Sequence, residues 1–346
     1  MRLLEVIRQW FGSGARSEPG LQLVDDPSSA CEEPPRSPSA RYPMAWWQPK
    51  GPRVLWTPRV VGAGGLVDRD LYEHLVSVVR EPDLELPRLS SVVQRAMRLV
   101  REPGVDLAEL ADVVRADTAI TTQLLRTANS ALYRGISEVR TLEQALARVG
   151  LRAAGNVILS QSVRRIATHG IGPEATLGQG LWNRSVASAT VCASLARRCR
   201  LPEDEAYLLG LLHDVGALAI FWVLQEYAGA HGRRVSRELF DRLSVDWHEH
   251  IGLRLADRWD LPAPLPEIIA DHHRPSRDDD PLDARRQLVQ FSDVVCALLR
   301  YAPYEPYEFF ELPCVRALGI TDGEADCEML AALPERIEEQ VNALWP

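Results

Sequence analysis

The chain is nearly devoid of lysine: Lys50 is the only one, and every other basic side chain is arginine. The simplest reading is a compositional bias rather than a general demand for bidentate recognition. Positive charge is also in deficit, with a formal net charge of −9 and a pI near 5.5. That balance argues against nonspecific binding to nucleic acid or anionic lipid, which depends on a positive field, so no nucleic-acid partner is expected. No apolar run approaches the roughly 18 residues needed to cross a bilayer, and the start, from Met1 to Gly12, lacks a signal-peptide core and cleavage pattern. No transmembrane segment and a cytoplasmic location are therefore expected. The six cysteines, Cys31, Cys192, Cys199, Cys296, Cys314 and Cys327, contain no CxxC pair. They fit reduced thiols buried in a cytosolic protein better than a disulfide framework. Strand-like alternation is scarce and no fixed-period repeat is present, which leaves an all-α fold.

What is present is an ordinary hydrophobic fraction, 46% of 346 residues, enough for a large core. Residues 1–12 place Leu3, Leu4, Ile7, Trp10 and Phe11 at helical spacing and read as a short amphipathic helix, with membrane anchoring its least favoured use. Residues 13–65 are rich in Pro, Ser and Gly and read as a mainly disordered linker, with Trp46, Trp47 and Trp56 as points where it can lie against a folded surface. From residue 66 the pattern is helical. Leu71, Leu75, Val78 and Val79 form one apolar stripe, and Leu89, Val92, Val93, Ala96, Met97 and Val100 the next. Asp106 with Glu109 and Thr141 with Gln144 have the spacing of capping boxes, and Pro202 with Glu203, Asp204 and Glu205 opens a further helix. The spacing divides the helices into an early half, 66–168, and a later half, 176–300, separated by a Gly-rich stretch ending at Pro173. Residues 301–346 are expected to add short helices packed on the later half.

Chemistry concentrates in the later half. His213-Asp214 lies inside the apolar run Leu208-Leu209-Gly210-Leu211-Leu212-His213-Asp214-Val215-Gly216. Burying an unpaired imidazole or carboxylate is costly, so a divalent metal, partner side chains or a basic residue must compensate the pair. His248 lies four, seven and eleven residues before Gly252, Leu255 and Trp259 and should face inward, whereas His250 points nearly the opposite way. His272-His273 sits at a helix end ahead of Arg274-Pro275, and Asp293 is an acid within Phe291-Ser292-Asp293-Val294-Val295. Singly, each has a bland reading: an HH pair is more often a surface feature, and a lone buried acid is more often hydrogen-bonded than metal-bound. Cys192 and Cys199 read as core, Asn129-Ser130 as local hydrogen bonding, Arg164-Arg165 and Arg197-Arg198 as solvated helix faces, and Asp278-Asp279-Asp280 as a loop cluster.

Taken in order, Leu181-Trp182-Asn183-Arg184-Ser185, Gly210 to Gly216 with its His-Asp doublet, His248-Glu249-His250-Ile251-Gly252, Trp259-Asp260-Leu261-Pro262 and His272-His273-Arg274-Pro275 resemble the HDOD family, relatives of the HD metal-dependent phosphohydrolases. Leu86-Pro87-Arg88-Leu89, Asp117-Thr118-Ala119-Ile120-Thr121, Ala128 to Tyr133 and Ala145 to Gly150 resemble its N-terminal half, so the resemblance covers about 82–300. It implies an HDOD helical domain, spanning 66–300, used in bacterial signal transduction as an output or interaction module. Its partners would be signalling proteins of the diguanylate cyclase, phosphodiesterase or sensor kinase class. It also implies that His213, Asp214, His248, His272, His273 and Asp293 match the metal-ligand positions of catalytic HD relatives. Where those relatives carry their first histidine, before a serine, this chain has Arg184-Ser185. Arginine cannot ligate a metal. Turned inward, Arg184 can pair with Asp214 and replace the cation; turned outward, it leaves a site that can still take one divalent ion, Fe, Mn or Zn. The expectation is a non-catalytic module without a cofactor, with a metal-dependent phosphohydrolase or a cyclic-dinucleotide receptor as alternatives.

Overall fold

The computed structural model describes residues 69–344, apart from 131–132, 134, 136, 170–172, 233–235, 276–279 and 300–308. The expected N-terminal helix, the linker with its three tryptophans, and Cys31 lie outside the described residues. Within them the chain is all-α, with no strand among the described residues. The early helices are α1 (Arg69–Arg80), α2 (Ser91–Arg101), α3 (Leu107–Val114), α4 (Thr118–Asn129), α5 (Leu142–Val149) and α6 (Leu151–Ala167). The later ones are α7 (Pro173–Leu195), α8 (Glu203–Leu212), α9 (Val215–His231), α10 (Arg237–Arg258), α11 (Leu265–Asp271) and α12 (Asp283–Leu298), followed by α13 (Pro313–Ala317) and α14 (Glu324–Leu344).

Local chemistry accounts for many of the boundaries. Ser90 caps α2 through the Val93 N–H, and Asp117 caps α4 through Ala119 and Ile120. Thr141 and Gln144 form the full reciprocal capping box at α5. Asp106 caps α3 through the Ala108 N–H. Asn129 ends α4 by clamping backbone, donating to the Leu125 and Val139 carbonyls and accepting from the Val139 N–H. The apolar stripes turn inward as expected, with Leu75, Val79, Val93 and Ala96 all buried.

The two halves share one core rather than meeting as separate bodies. Helix α6 belongs to the early half in sequence, yet it is buried on nearly every face and packs on α2 and α4 as well as on α7, α8 and α9. A helix enclosed on all sides needs no amphipathic stripe, and α6 has none. The same logic applies to the continuous segment Glu203–His231. Contrary to the sequence expectation, it is long and apolar enough in composition to cross a membrane, and 78% of its apolar window is buried inside the protein. Its apolarity is matched by the neighbours α7 and α10 that cover it.

The C-terminal region also differs from expectation. α13 is short, but α14 runs 21 residues with Pro334 inside it. It packs on α7 and reaches back to α4, where the Gln123 side chain donates to the Ala343 carbonyl. The apolar face formed by Leu330, Leu333 and Ile337 explains the length, because one continuous helix buries all three side chains against the body.

Candidate functional site

Helices α7 to α12 converge on one buried cluster, and two glycines set how closely they approach. A Cβ on Gly210 would lie 2.5 Å from the Ser188 carbonyl oxygen, so α8 rests directly on the α7 backbone. On Gly216 it would lie 1.8 Å from the His248 carbonyl oxygen, which brings the start of α9 against α10. The turn between α8 and α9 carries His213 and Asp214 at this crossing. Close packing of three helices therefore delivers Arg184, the His-Asp doublet and His248 to one point.

Arg184 points inward. Its Nη1 lies 2.8 Å from Asp214 Oδ2 and its Nη2 3.1 Å from Asp293 Oδ1, so the guanidinium bridges the two carboxylates. His213 donates from Nδ1 to the Gly210 carbonyl at 2.9 Å, and its Nε2 lies 3.1 Å from Asp293 Oδ1. With both ring nitrogens facing acceptors, His213 is an imidazolium. Burial opposes the charged ring, but Asp293 outweighs burial and raises its pKa. Burial likewise opposes ionisation of the two acids. Arg184 beside Asp214, and His213 followed by Arg184 beside Asp293, hold both carboxyls well below the usual range. Two cations thus balance two carboxylates in a closed ionic group.

Asp214 Oδ1 faces a different environment. His248 Nε2 lies 3.7 Å away and His272 Nε2 4.0 Å away. His248 Nδ1 donates to the Ser244 carbonyl at 2.6 Å, and His272 Nδ1 donates to the Ile269 carbonyl at 3.2 Å, so each ring turns its Nε2 into the cluster. His273 Nε2 lies 3.1 Å from His248 Nε2, within hydrogen-bond distance. His272 Nε2 and His273 Nδ1 have no hydrogen-bond partner among the described residues. Burial, together with the neighbouring histidines, keeps His272 neutral far below its ordinary range and lowers His273 to about 3.

The His272-His273 turn is held by residues that sequence reasoning did not select. Buried Arg286 on α12 donates to Asp271 Oδ1 at 2.9 Å and to Asp280 Oδ2 at 2.7 Å. Gln290 donates to the carbonyls of His272 and Arg274 at 2.7 and 2.8 Å. The signal available in the sequence was an arginine and a glutamine within the apolar pattern of α12, where charge is rarely buried unless paired. His250 takes no place in the cluster: it is half-buried on the other face of α10, beside Trp247. Arg165 pairs with Asp117 and Arg198 with Asp326, so these two arginines are occupied within the protein. Cys192 is core, its thiol pushed up to about 12 by burial.

A paired-ion centre using all six candidate ligands does not fit these residues. The guanidinium lies against the two carboxylates that would bind one ion, and His213 spends its inward nitrogen on Asp293. A single ion does fit the other side, where the ligand atoms of His248, His272 and His273 all lie within 4.8 Å of one another.

Comparison with known proteins yields a consistent picture. The HDOD domain family matches residues 86–275. An HDOD domain protein from Geobacter sulfurreducens has a similar structure, with 25% identity, TM-score 0.59, and coverage of 80% of this chain and 96% of its own. A candidate metal-dependent phosphohydrolase from Shewanella amazonensis SB2B is similar at 21% identity and TM-score 0.54, over 77% of this chain and 98% of its own. A candidate signal transduction protein from Marinobacter aquaeolei VT8 is similar at 20% identity and TM-score 0.57, over 82% of this chain and 67% of its own. The last two likenesses concern the fold alone. An uncharacterised protein of Treponema pallidum is 25% identical over 197 residues, a match spanning 55% of this chain and 38% of that protein's length.

Proposed function

The chain belongs to the HDOD domain family, and from that premise we propose that it is a cytoplasmic bacterial signal-transduction module that binds other proteins and does not hydrolyse phosphoesters. The observation that carries this reading is the double bridge from Arg184 to Asp214 and Asp293. Metal-assisted hydrolysis needs an ion that polarises a phosphoryl oxygen and lowers the pKa of bound water to about 7. A guanidinium has no coordination position for water, keeps its proton and only donates hydrogen bonds. It does neutralise two buried carboxylates, so the helices carrying them stay packed without water activation.

The partners proposed are signalling proteins of the diguanylate cyclase, phosphodiesterase or sensor kinase class. The net negative charge supports a protein partner over a nucleic acid. Two assays test the reading on the full chain. Incubation with Mn2+ or Fe2+ and either a generic phosphodiester or a cyclic dinucleotide should give no turnover; hydrolysis that disappears in Asp214→Ala would overturn it. Purified signalling enzymes of those three classes should include one that binds the chain. A cyclic dinucleotide that binds without turnover, with no protein partner among the three, would replace the reading with that of a nucleotide receptor.

A further inference from the structure

We propose that residues 41–59, the tryptophan-bearing stretch ahead of α1, dock within their own chain on an aromatic surface around the C-terminal turns of α9. None of the residues involved belongs to the buried ionic cluster, so the inference stands whether or not that cluster is catalytic.

The surface interrupts an otherwise enclosed helix. Every residue of α9 from Val215 to Phe221 is buried, as are Val223 and Leu224. Trp222 and Tyr227 depart from this pattern and are only half-buried. Imidazoles flank them: the His169 ring lies 5.5 Å from Trp222, the His74 ring of α1 lies 5.6 Å from Tyr227, and His231 stacks on Tyr227 at 4.1 Å. His74, His169 and His231 are themselves exposed. Glu226 pairs with His169 yet remains 52% exposed, and a Cβ on Gly229 would meet nothing within 4 Å. Half-exposed aromatic rings beside polar groups are the composition of recognition surfaces.

The sequence and the path of the chain select the occupant. Residues 34–67 hold five basic side chains, Arg36, Arg41, Lys50, Arg53 and Arg59, and no acid, within a chain of net charge −9. Glu226 and the exposed Glu73 offer these cations acidic neighbours. The same stretch sets Trp46, Trp47 and Trp56 among Pro43, Pro49, Pro52 and Pro58, and proline-rich segments bind aromatic-lined surfaces at low entropic cost. His74, which touches the surface, is five residues past the start of α1 at Arg69, about 7.5 Å along a helix. The chain therefore enters α1 beside the surface. Trp56 precedes Arg69 by 13 residues, which span up to roughly 45 Å when extended, so reach is no obstacle. A tether of this kind gives an effective concentration of about a millimolar, which favours the chain's own segment over a second copy. Docked there, the segment shields the half-exposed rings from other chains.

Lys50 is the only lysine, so zero-length carbodiimide coupling reports directly on its neighbours. The full chain, mixed in isotopically light and heavy forms, is coupled, digested and analysed by mass spectrometry, and backbone hydrogen–deuterium exchange is measured in parallel. Links from Lys50 to Glu226 or Glu73 within one copy are expected. In the triple variant Trp46→Ser, Trp47→Ser, Trp56→Ser those links should fall several-fold, and amides of 222–231 should exchange faster while those of α12 stay unchanged. The variant alters no residue of the helical body, so loss of fold does not confound it. Absence of these links, links to carboxyls elsewhere instead, or unchanged exchange at 222–231 overturns the inference. Links found only between light and heavy copies also overturn it, in favour of docking between copies.

Discussion

The two oxygens of Asp214 look onto unlike surroundings. Oδ2 meets a guanidinium that also reaches Asp293, and every formal charge on that side has an opposite neighbour. Oδ1 meets imidazoles, one with a nitrogen that finds no hydrogen-bond partner among the described residues. The first side is held together by its own ions, so any single deletion there leaves a buried charge exposed to a low dielectric. The second side is held by backbone carbonyls that accept from His248 and His272 and by Arg286 and Gln290 around the turn, with no formal charge pair between its rings. Equal burial therefore does not mean equal energetic weight.

Deleting the bridge is the sharpest way to break this contrast. Arg184→Met should cost about 3–5 kcal/mol in urea unfolding, because two buried carboxylates lose their shared cation. Adding Asp214→Asn and Asp293→Asn to that variant should recover part of the loss; no recovery would mean that the arginine acts through packing alone. Next in size is Gly216→Ala, which strikes the frame common to both sides. Its Cβ would lie 1.8 Å from the His248 carbonyl oxygen, so α9 and α10 must separate. A loss of about 3 kcal/mol, at the upper end for overpacking, is expected in thermal unfolding.

Asp326 gives a reference far from both sides. Burial opposes its ionisation, but the Thr321 N–H at 2.8 Å, the Thr321 hydroxyl at 3.1 Å and Arg198 prevail and lower its pKa. A carboxyl with a depressed folded pKa adds stability above its unfolded value, near 3.9, and loses it as pH falls through the lower folded value. Asp326→Asn should cost about 1 kcal/mol at neutral pH, and the cost should shrink as pH falls below about 4. The smallest effect should come from His272→Phe in chelator-treated protein, a change within about 1 kcal/mol measured by urea unfolding, since an apolar ring replaces an imidazole whose inner nitrogen is unsatisfied. A loss as large as that of Arg184→Met would erase the distinction between the two sides.

Much of this was legible beforehand because helices announce themselves locally. Apolar stripes, the caps at Ser90, Asp117 and Thr141, and the ordered His and Asp segments are short-range signals, and the family follows from their order. The inward face of His248 and the outward face of His250 follow from helical periodicity alone. What stayed hidden depended on contacts distant in sequence. Arg184 had two open orientations until Asp293, on another helix, was placed beside it. The supports of the histidine turn, Arg286 and Gln290, carry no local signature beyond an unexpected polar side chain in an apolar helix. The length of α14 escaped notice because Pro334 reads as a break, whereas burial of Leu330, Leu333 and Ile337 carries the helix through it.

The amino-acid sequence alone determined that the chain is all-α and which histidines, acids and arginine were candidates for its ionisable cluster. Periodicity, capping and residue chemistry are properties of the chain itself. Only the tertiary structure decided that this arginine turns inward to bridge two carboxylates while three histidines gather on the far side of Asp214. The reason is that Coulomb energy and desolvation depend on distance and burial, and these exist only once α7 to α12 have closed around the cluster.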